Sequence, residues 1–301
     1  MRENKKEKVL VVLGPTASGK TTLSVELAKK FNGEIISADS RQVYRGLDIG
    51  TEKITKEEMA GISHHLIDVC DPEEIFSVQE FKDKASEAVL EIVGRGHLPI
   101  VAGGTGFYID ALLYDIPFPE VAPDPKLREK LEQETNEELF ARIEKKDPER
   151  ANAIDPNNTR RLIRALEVIE TLGSVPPLKE KVHRYNSFIV GIETPDAVLK
   201  EKIGKRLDDA LLNGLVQETI ALLGTGVPPE RMREFGLEYR IALDVIEGTL
   251  PGAQMRERML RELWRYVRRQ RTWFRRNKEI RWFSLLQKPE MEKLIQEFLK
   301  K

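Results

Sequence analysis

The clearest indication of the fold is the sequence Gly14-Pro15-Thr16-Ala17-Ser18-Gly19-Lys20-Thr21. It has the spacing of a phosphate-binding P-loop, in which two glycines frame the loop and a lysine and a threonine follow. Before it, Val9 to Leu13 is an apolar run rich in β-branched residues, as expected of a buried parallel strand. After it, Leu23, Leu27 and Phe31 recur at helical spacing. Strand, glycine-rich loop and helix therefore follow one another in the order that a P-loop requires.

The residue types of this loop suit a phosphate group. Backbone N–H groups of such a loop, with the positive end of the following helix, surround phosphate oxygens. Lys20 adds a mobile cation and Thr21 a hydroxyl for Mg²⁺. A chance glycine-rich turn is the alternative, but it would not account for the strand and the helix on either side. The residues predicted to bind phosphate are Gly14, Pro15, Thr16, Ala17, Ser18, Gly19, Lys20 and Thr21, with Thr21 as the metal ligand.

Further strands and helices alternate along the chain. Glu34 to Asp39, Leu98 to Ala102 and Ser187 to Ile192 have strand-like sequences. A helix lies between the first two, and Ser77 with Glu80 has the spacing of a capping box at its start. This alternation predicts an α/β fold: a P-loop NTPase-like parallel sheet flanked by helices.

A helical segment interrupts this pattern. Pro117, Pro119, Pro123 and Pro125 punctuate a linker, and helical periodicity then runs from residue 126 to residue 172. We predict a P-loop core formed by residues 1–117 and 184–301, and an inserted all-helical domain at residues 118–183. Long helices are expected from about residue 196 to 223 and from about residue 255 to 276.

Charge is distributed unevenly over the 301 residues. Eleven basic and three acidic residues lie between Met255 and Arg281, so this stretch carries a net charge of +8 and the rest of the chain −9. This asymmetry favours a polyanionic partner, although a solvated helix face would produce the same pattern. Cys70 is the single cysteine, which excludes an internal disulfide and fits a reducing compartment. With no apolar run long enough for a membrane span, we expect a cytoplasmic protein.

Two polar residues are expected beside the phosphate loop. Asp39 ends the second strand, and Thr105 follows the third, where an ATP-hydrolysing enzyme would usually have a carboxylate. Carboxyl ends of parallel strands face the ligand crevice, so both side chains should lie near the phosphate. An acid beside the phosphate suits a general base that acts on an acceptor. A turn former or helix cap is the alternative interpretation of Asp39.

Six segments in order along nearly the entire chain resemble the tRNA dimethylallyltransferase family. The longest is the run Ile35-Ile36-Ser37-Ala38-Asp39-Ser40-Arg41-Gln42-Val43-Tyr44-Arg45-Gly46-Leu47-Asp48-Ile49-Gly50-Thr51. The others are Gly14 to Thr21, His64-His65-Leu66-Ile67-Asp68, Gly103-Gly104-Thr105-Gly106-Phe107-Tyr108, Arg161 to Val168, and Arg269-Gln270-Arg271-Thr272-Trp273-Phe274-Arg275. The chain ends soon after the last segment, without the zinc-finger extension of eukaryotic members, so a bacterial-type enzyme is expected. Gly236 to Arg240 departs from the Gly-Tyr-Lys-like sequence of the family.

The resemblance implies that dimethylallyl pyrophosphate is the donor. The acceptor would be the exocyclic N6 of the adenine 3′ to the anticodon of a tRNA. Preorganised positive groups would stabilise the pyrophosphate leaving group, so the P-loop, Mg²⁺ and Arg206 are the candidates for that role. A solvated helix arginine is the alternative for Arg206. Asp39, Thr105 and Lys20 are the predicted catalytic residues, with Asp39 as the base that takes the N6 proton.

The remaining candidates would contact tRNA. The target base must leave its stack to be modified, and Asp39, Ser40, Arg41, Gln42 and Thr105 are expected around it. In the helical insert, Arg160 and Arg164 share one helix face, while Leu162 belongs to an apolar stripe. The full set predicted there is Arg128, Arg160, Arg161, Leu162, Ile163 and Arg164. The anticodon stem-loop would be bound by a monomer.

Three other functions compete with this hypothesis. A metabolite kinase on the same scaffold would consume ATP, but the third strand lacks the carboxylate that usually holds its magnesium. A prenyltransferase acting on free adenine nucleotides would not need the inserted arginines or the basic C-terminal stretch. An RNA-binding protein with a regulatory nucleotide site would not depend on Asp39 for any turnover.

Overall fold

The computed structural model describes residues 6–116, 118–176 and 182–301. Contacts within the chain divide it into two units, Met1–Tyr114 with His183–Lys301, and Asp115–Val182. Pro117, the predicted end of the first core segment, lies outside the described residues, as does the part of the predicted insert at 177–181. Within the described residues, no helix combines the length and the apolar character that a membrane span needs.

The first unit is built on a parallel sheet of six strands. Its strands lie side by side in the order third, second, fourth, first, fifth, sixth. The P-loop strand is therefore central, and Val9 to Val12 are completely buried, as their apolar sequence requires. The predicted parallel α/β sheet is confirmed. Its strands are β1 (Lys8–Leu13), β2 (Gly33–Ser37), β3 (His64–His65), β4 (Leu98–Gly103), β5 (Asn186–Ile192) and β6 (Arg281–Phe283).

Helices make up most of the remaining structure. In the first unit, before the second unit begins, they are α1 (Lys20–Phe31), α2 (Lys56–Met59), α3 (Val78–Gly94) and α4 (Gly106–Leu113). The second unit contains α5 (Pro125–Leu131), α6 (Asn136–Lys146), α7 (Pro148–Ala153) and α8 (Thr159–Leu172). The first unit then continues with α9 (Asp196–Leu212), α10 (Leu215–Gly224), α11 (Pro229–Glu234), α12 (Leu237–Ile246), α13 (Gly252–Phe274) and α14 (Lys288–Lys300).

Two of the local predictions have contrasting outcomes. The capping box at the start of α3 is confirmed, because Ser77 and Glu80 each accept the other's backbone N–H. The single helix expected from residue 196 to 223 is wrong. It ends at Leu212, and α10 begins at Leu215, because Gly214 lies between them at a φ of 101°. Such a left-handed residue cannot continue a right-handed helix, and glycine adopts it at little cost.

The second unit has a hydrophobic core of its own. Leu131, Leu139, Ile143, Leu162 and Leu166 are fully buried and form one cluster. They come from α5, α6 and α8, so the apolar stripes of these helices face one another. The helical periodicity expected from residue 126 to 172 is thus confirmed as four helices separated by short turns.

Candidate active site

The predicted site residues gather at the carboxyl edge of the sheet. Leu13, at the end of β1, pairs with Gly103 of β4, and Ser37, at the end of β2, pairs with Ala102. The P-loop, Asp39 and Thr105 therefore leave the sheet at the same level. This is the edge at which open parallel sheets bind their ligands.

The P-loop backbone has the shape that its sequence predicts. Ala17 and Gly19 lie at φ values of 61° and 90°, so the loop curls back onto the start of α1. A Cβ on Gly14 would come within 2.7 Å of Ser18 Oγ, so glycine is required there. Ser18 Oγ itself is buried and has no hydrogen-bond partner among the described residues. A buried hydroxyl is normally satisfied, so this atom fits a site that a ligand completes.

A cavity of about 640 Å³ opens beside the loop. Its walls combine the start of α1, the segment after β2, the end of β4 and one side of α9. Thr21 is exposed in it, and Asp39 lies on its wall with the cations of Lys20 and Arg206. The predicted phosphate loop, metal ligand and base therefore share one cavity. The polar residues that line it include Thr16, Lys20, Thr21, Asp39, Gln42 and Arg206.

Two cations in this cavity are held in unfavourable surroundings. Burial, with a smaller contribution from the nearby charge of Arg206, lowers the pKa of Lys20 to about 8, and Asp39 partly opposes the shift. Burial also lowers the pKa of Arg206 to about 10, against the carboxylates of Glu238 and Asp39. Arg206 forms an ion pair with Glu52. Because burial outweighs the nearby carboxylates at both cations, an anion bound in the cavity would stabilise their charged forms.

The surroundings of Asp39 fit both interpretations of this residue, the turn former and the general base. Its Oδ1 accepts the backbone N–H of Arg41 at 2.9 Å and, more weakly, that of Gln42 at 3.4 Å. This is a side-chain turn, as the alternative interpretation supposed. Oδ2, however, receives no hydrogen bond from the described residues, and the side chain lines the cavity. One oxygen therefore fixes the carboxylate while the other is available to a ligand.

Thr105 is tied to the segment that follows Asp39. Its Oγ1 accepts the backbone N–H of Ser40 at 3.1 Å, and its own N–H donates to the carbonyl of Ala38 at 3.1 Å. The close approach of the two segments depends on Gly103, because a Cβ there would lie 2.2 Å from the carbonyl oxygen of Ala38. Thr105 thus holds in place the segment around Asp39, which lies on the cavity wall.

A third acid, Glu238, lies near this site and was not expected from the sequence. It lines a small neighbouring cavity with Thr16 and Arg206, and burial raises its pKa to about 7. It belongs to the segment Gly236 to Arg240 that departs from the family pattern. Only its position beside charged groups from distant parts of the chain distinguishes it from any exposed helix glutamate, so no sequence signal could have identified it.

The same segment supports the loop at residues 48–50. The Glu218 carboxylate accepts the backbone N–H groups of Asp48, Ile49 and Gly50 at 3.0, 2.7 and 3.0 Å. Tyr239 donates its hydroxyl to Glu218 at 2.6 Å. These bonds fix the chain just before Glu52, the ion-pair partner of Arg206. Glu218 lies 170 residues from this loop in sequence, so its role could not be predicted.

The basic helix α13 has the predicted packing stripe. Met259, Leu263, Val267 and Phe274 are buried, whereas Trp273 is half-buried against Gly106. Several of its arginines are paired with carboxylates: Arg256 with Asp208, Arg258 with Glu262, Arg261 with Glu257 and Arg271 with Asp196. Arg268 is exposed and makes no ion pair with the described residues. Part of the +8 charge is therefore neutralised locally and part faces solvent.

In the second unit, the arginines expected to contact RNA are in different environments. Arg160 and Arg161 are exposed at the start of α8. Arg128 donates to both oxygens of the buried Glu167 at 2.7 and 3.0 Å, and Arg164 donates to the same carboxylate at 3.1 Å. Arg128 thus ties α5 to α8, whereas the bond from Arg164 to Glu167 lies within α8.

Leu162 and Ile163 require a correction. Both were included in the predicted RNA-contacting set, but their side chains are buried in the core of the second unit. The helix turns them away from the face of Arg160 and Arg161, so the exposed arginines are the side chains of this segment that can reach RNA.

Comparison with known proteins identifies the family. Residues 42–277 match the model of the IPP transferase family. A tRNA dimethylallyltransferase of Bacillus subtilis is 40% identical over 96% of this chain and 94% of its own length. That of Enterococcus faecalis is 41% identical over 97% of this chain and 98% of its own length.

Solved structures agree with these relatives. The full-length tRNA isopentenylpyrophosphate transferase of Bacillus halodurans is 39% identical, with a TM-score of 0.75 over 98% of this chain and 97% of its own. A eukaryotic dimethylallyltransferase acting on tRNA is 27% identical, with a TM-score of 0.76 over 92% of this chain and 74% of its own. Because the match in sequence and in fold covers nearly the whole chain, this protein belongs to the IPP transferase family, the tRNA dimethylallyltransferases.

Proposed function

We propose that this protein transfers the dimethylallyl group of dimethylallyl pyrophosphate to N6 of the adenine 3′ to the anticodon of a tRNA. The observation that carries the proposal is the shared cavity: Asp39, with one oxygen free, faces it together with Lys20 and Arg206. A base and two anion-binding cations within one cavity suit a reaction in which pyrophosphate leaves and a nucleophile loses a proton.

On the donor side, the carbon–oxygen bond to pyrophosphate breaks and its electron pair goes to the leaving oxygen. The free P-loop N–H groups, Lys20 and Arg206 bind and neutralise that oxygen and its neighbours. Burial has lowered the pKa of both cations, so the arriving dianion restores the environment that they lack. Binding of the leaving group and lowering of the barrier therefore use the same residues.

On the acceptor side, the N6 lone pair forms the new carbon–nitrogen bond. N6 is a poor nucleophile because its lone pair is delocalised into the ring, so its orientation and the loss of its proton matter. Asp39 Oδ2 takes this proton while Oδ1 stays anchored by the N–H of Arg41. Thr105 supports this arrangement through its bond to the N–H of Ser40. Arg41 and Gln42 would contact the extruded base and its neighbours.

The residues present fit a magnesium ion. No cluster of three or more His, Cys, Asp or Glu side chains suited to a metal occurs in the described part of the chain. Mg²⁺ bound to a phosphate substrate needs only one or two protein oxygens, since phosphate and water supply the others. The hydroxyl of Thr21 is a hard oxygen donor on the cavity wall. When bound, the ion would add positive charge beside the leaving group.

The acceptor is proposed to be tRNA because both units carry exposed arginines that do not line the cavity. Arg160 and Arg161 in the second unit and Arg268 on α13 can contact phosphates, whereas a free nucleotide would not need them. We infer in addition that the protein acts as a cytoplasmic monomer, which light scattering on the free protein and on its RNA complex would test.

The direct test is incubation with dimethylallyl pyrophosphate labelled in the allyl group. Separate reactions contain an anticodon stem-loop, the same stem-loop with the target adenine replaced by guanine, or AMP. Label should enter only the first RNA. Label in AMP would replace tRNA by a free nucleotide as the acceptor, and ATP hydrolysis without label transfer would favour the kinase alternative.

A further inference from the structure

Gln270 on α13 connects the two sides of the proposed active site. Its side chain is buried, with 6% exposed. Oε1 accepts the backbone N–H of Thr16 at 3.0 Å, and Nε2 donates to the carbonyl of Gly104 at 3.0 Å. Thr16 belongs to the P-loop on the donor side, and Gly104 immediately precedes Thr105 on the acceptor side. A single amide thus bridges segments that lie about ninety residues apart in sequence.

The fit around this amide is tight. A Cβ on Gly104 would lie 2.5 Å from Gln270 Nε2, and a Cβ on Gly106 would lie 2.3 Å from Trp273 Cδ1. Gln270 and Trp273 are three residues apart and therefore share one face of α13. That face is pressed onto the segment Gly104 to Gly106, which has glycines where the helix comes closest. A shift of α13 would therefore move both the P-loop and the Thr105 segment.

The opposite side of the same helix is charged. Arg268 and Arg269 directly precede Gln270 in the helix and are exposed. A bound RNA could contact these side chains. The inference rests on the proposed function in this respect, since it requires that the protein binds RNA. The helix would then bind RNA on one face and contact the P-loop with the other.

We infer that Gln270 is a positioning residue that couples RNA binding on α13 to the geometry of the P-loop. RNA bound to α13 fixes the Thr16 backbone through Gln270 and so prepares the remaining loop N–H groups for pyrophosphate. Since coupling between two binding sites is reciprocal, pyrophosphate also tightens the binding of RNA. Gln270 contacts only the backbone of Thr16 and Gly104, so it acts through these segments and not on the reacting atoms.

The test measures the affinity of inorganic pyrophosphate in magnesium buffer, with and without a saturating anticodon stem-loop. For the wild-type protein, RNA should tighten pyrophosphate binding by roughly 5-fold or more, within the usual range of coupling between sites. Gln270→Met keeps the size of the side chain but removes both hydrogen bonds, and should reduce this factor to about one. Gln254→Met, at an exposed position of the same helix, is the matched control and should keep the wild-type factor.

A second variant covers the case in which Gln270→Met does not fold. Gln270→Glu retains an acceptor for the Thr16 N–H but cannot donate to Gly104 when it is ionised. It should bind pyrophosphate alone more weakly than the wild type, because the buried carboxylate repels the anion, and it should lose the enhancement by RNA. An equal factor in the wild type and the folded variants would overturn the coupling, as would a wild-type factor of one in a protein that still transfers label. If the wild-type protein neither bound the stem-loop nor transferred label to it, the proposed function itself would be overturned.

Discussion

The two edges of the central sheet use similar charged groups for opposite purposes. At the carboxyl edge, Lys20 and Arg206 are held where burial opposes their charge. Near the amino ends of β2 and β4, the buried Glu34 is surrounded by Arg95, His65 and His97. Arg95 donates two hydrogen bonds to it at 3.0 and 2.9 Å, and His65 and His97 each lie 2.7 Å from a carboxylate oxygen.

The pKa values show what this difference means. Hydrogen bonds from Arg95, followed by those of His65 and His97, outweigh burial and lower the pKa of Glu34 to about 2. At the other edge, burial dominates and raises the pKa of Glu238 to about 7. Glu34 is completed by the protein itself and stabilises the fold. The groups of the carboxyl edge are incomplete without a ligand, which is a common property of functional sites.

Removing one carboxylate from each edge should therefore separate activity from stability. The largest expected effect is that of Asp39→Ala, which removes the proposed base. Single-turnover transfer should fall about 10²- to 10⁴-fold, the usual contribution of general-base catalysis, while RNA affinity changes little. Rapid-quench transfer assays and RNA binding would be measured on the same preparation. Equal losses in both quantities would assign Asp39 to RNA binding.

At the amino edge, Glu34→Gln should destabilise the protein and leave the activity of the folded molecules intact. The lowered pKa of Glu34 corresponds to about 3 kcal/mol of the free energy of unfolding at neutral pH. Chemical denaturation would measure this difference from the wild type. Because the folded pKa lies below the unfolded value of 4.5, the contribution is fully present above pH 4.5 and is lost as the pH falls toward 2.

Glu91→Gln serves as the control for this prediction. Glu91 is exposed and pairs with the same Arg95 at 3.8 Å, so its loss should cost well under 1 kcal/mol. If Glu34→Gln were equally mild, or its effect did not shrink in acid, the contrast between the two edges would not hold.

The pKa of Lys20 predicts how donor binding depends on pH. Above pH 8 the unliganded protein increasingly carries neutral Lys20, so pyrophosphate that binds the charged form requires Lys20 to take up a proton from solvent. Affinity for pyrophosphate should therefore weaken by up to about tenfold for each pH unit above 8, in excess of the change caused by the ligand's own ionisation. Titration calorimetry from pH 7 to 10 on the wild type and on Lys20→Met separates the two contributions. Parallel profiles would exclude Lys20 as the titrating group.

The smallest expected effect concerns the arginines of α13. Arg268→Gln should weaken RNA binding and reduce the slope of log affinity against log salt by about 0.9, the value for one phosphate contact. Arg256→Gln removes an arginine that is already paired with Asp208 and should change the slope less. Binding titrations at four salt concentrations would compare the two. The reverse order would place the RNA on another face of the helix.

Local sequence was sufficient to predict the functional residues at the carboxyl edge of the sheet. It was not sufficient to predict the buried ion-pair cluster at the amino edge. The P-loop and the ends of β2 and β4 were predictable because each depends on a short segment whose residue types follow directly from its geometry. β3 has only two residues and β6 only three, too few for a periodic pattern. The break at Gly214 was missed because a single glycine within an apolar pattern also occurs inside helices.

The residues that support the site could not be predicted from the sequence, for a different reason. Glu218, Gln270 and Glu34 act through partners that are far away in sequence and are mostly backbone groups or buried side chains. Leu162 and Ile163 show the converse error, since the family-like segment around them contains core residues as well as exposed ones. The roles of Arg128 and Arg164 could not be predicted, because the sequence does not distinguish an arginine that pairs with a buried glutamate from one that contacts RNA.

The claim that the carboxyl edge is completed by its ligand can be tested most directly by the thermal stabilisation that pyrophosphate produces. At one hundred times its dissociation constant, a ligand adds about 2.7 kcal/mol, which should raise the melting temperature by several degrees. The wild type and Glu34→Gln should shift equally, although the variant begins from a lower temperature, and Lys20→Met should hardly shift at the same concentration. A full shift in Lys20→Met, or its loss in Glu34→Gln, would contradict the account.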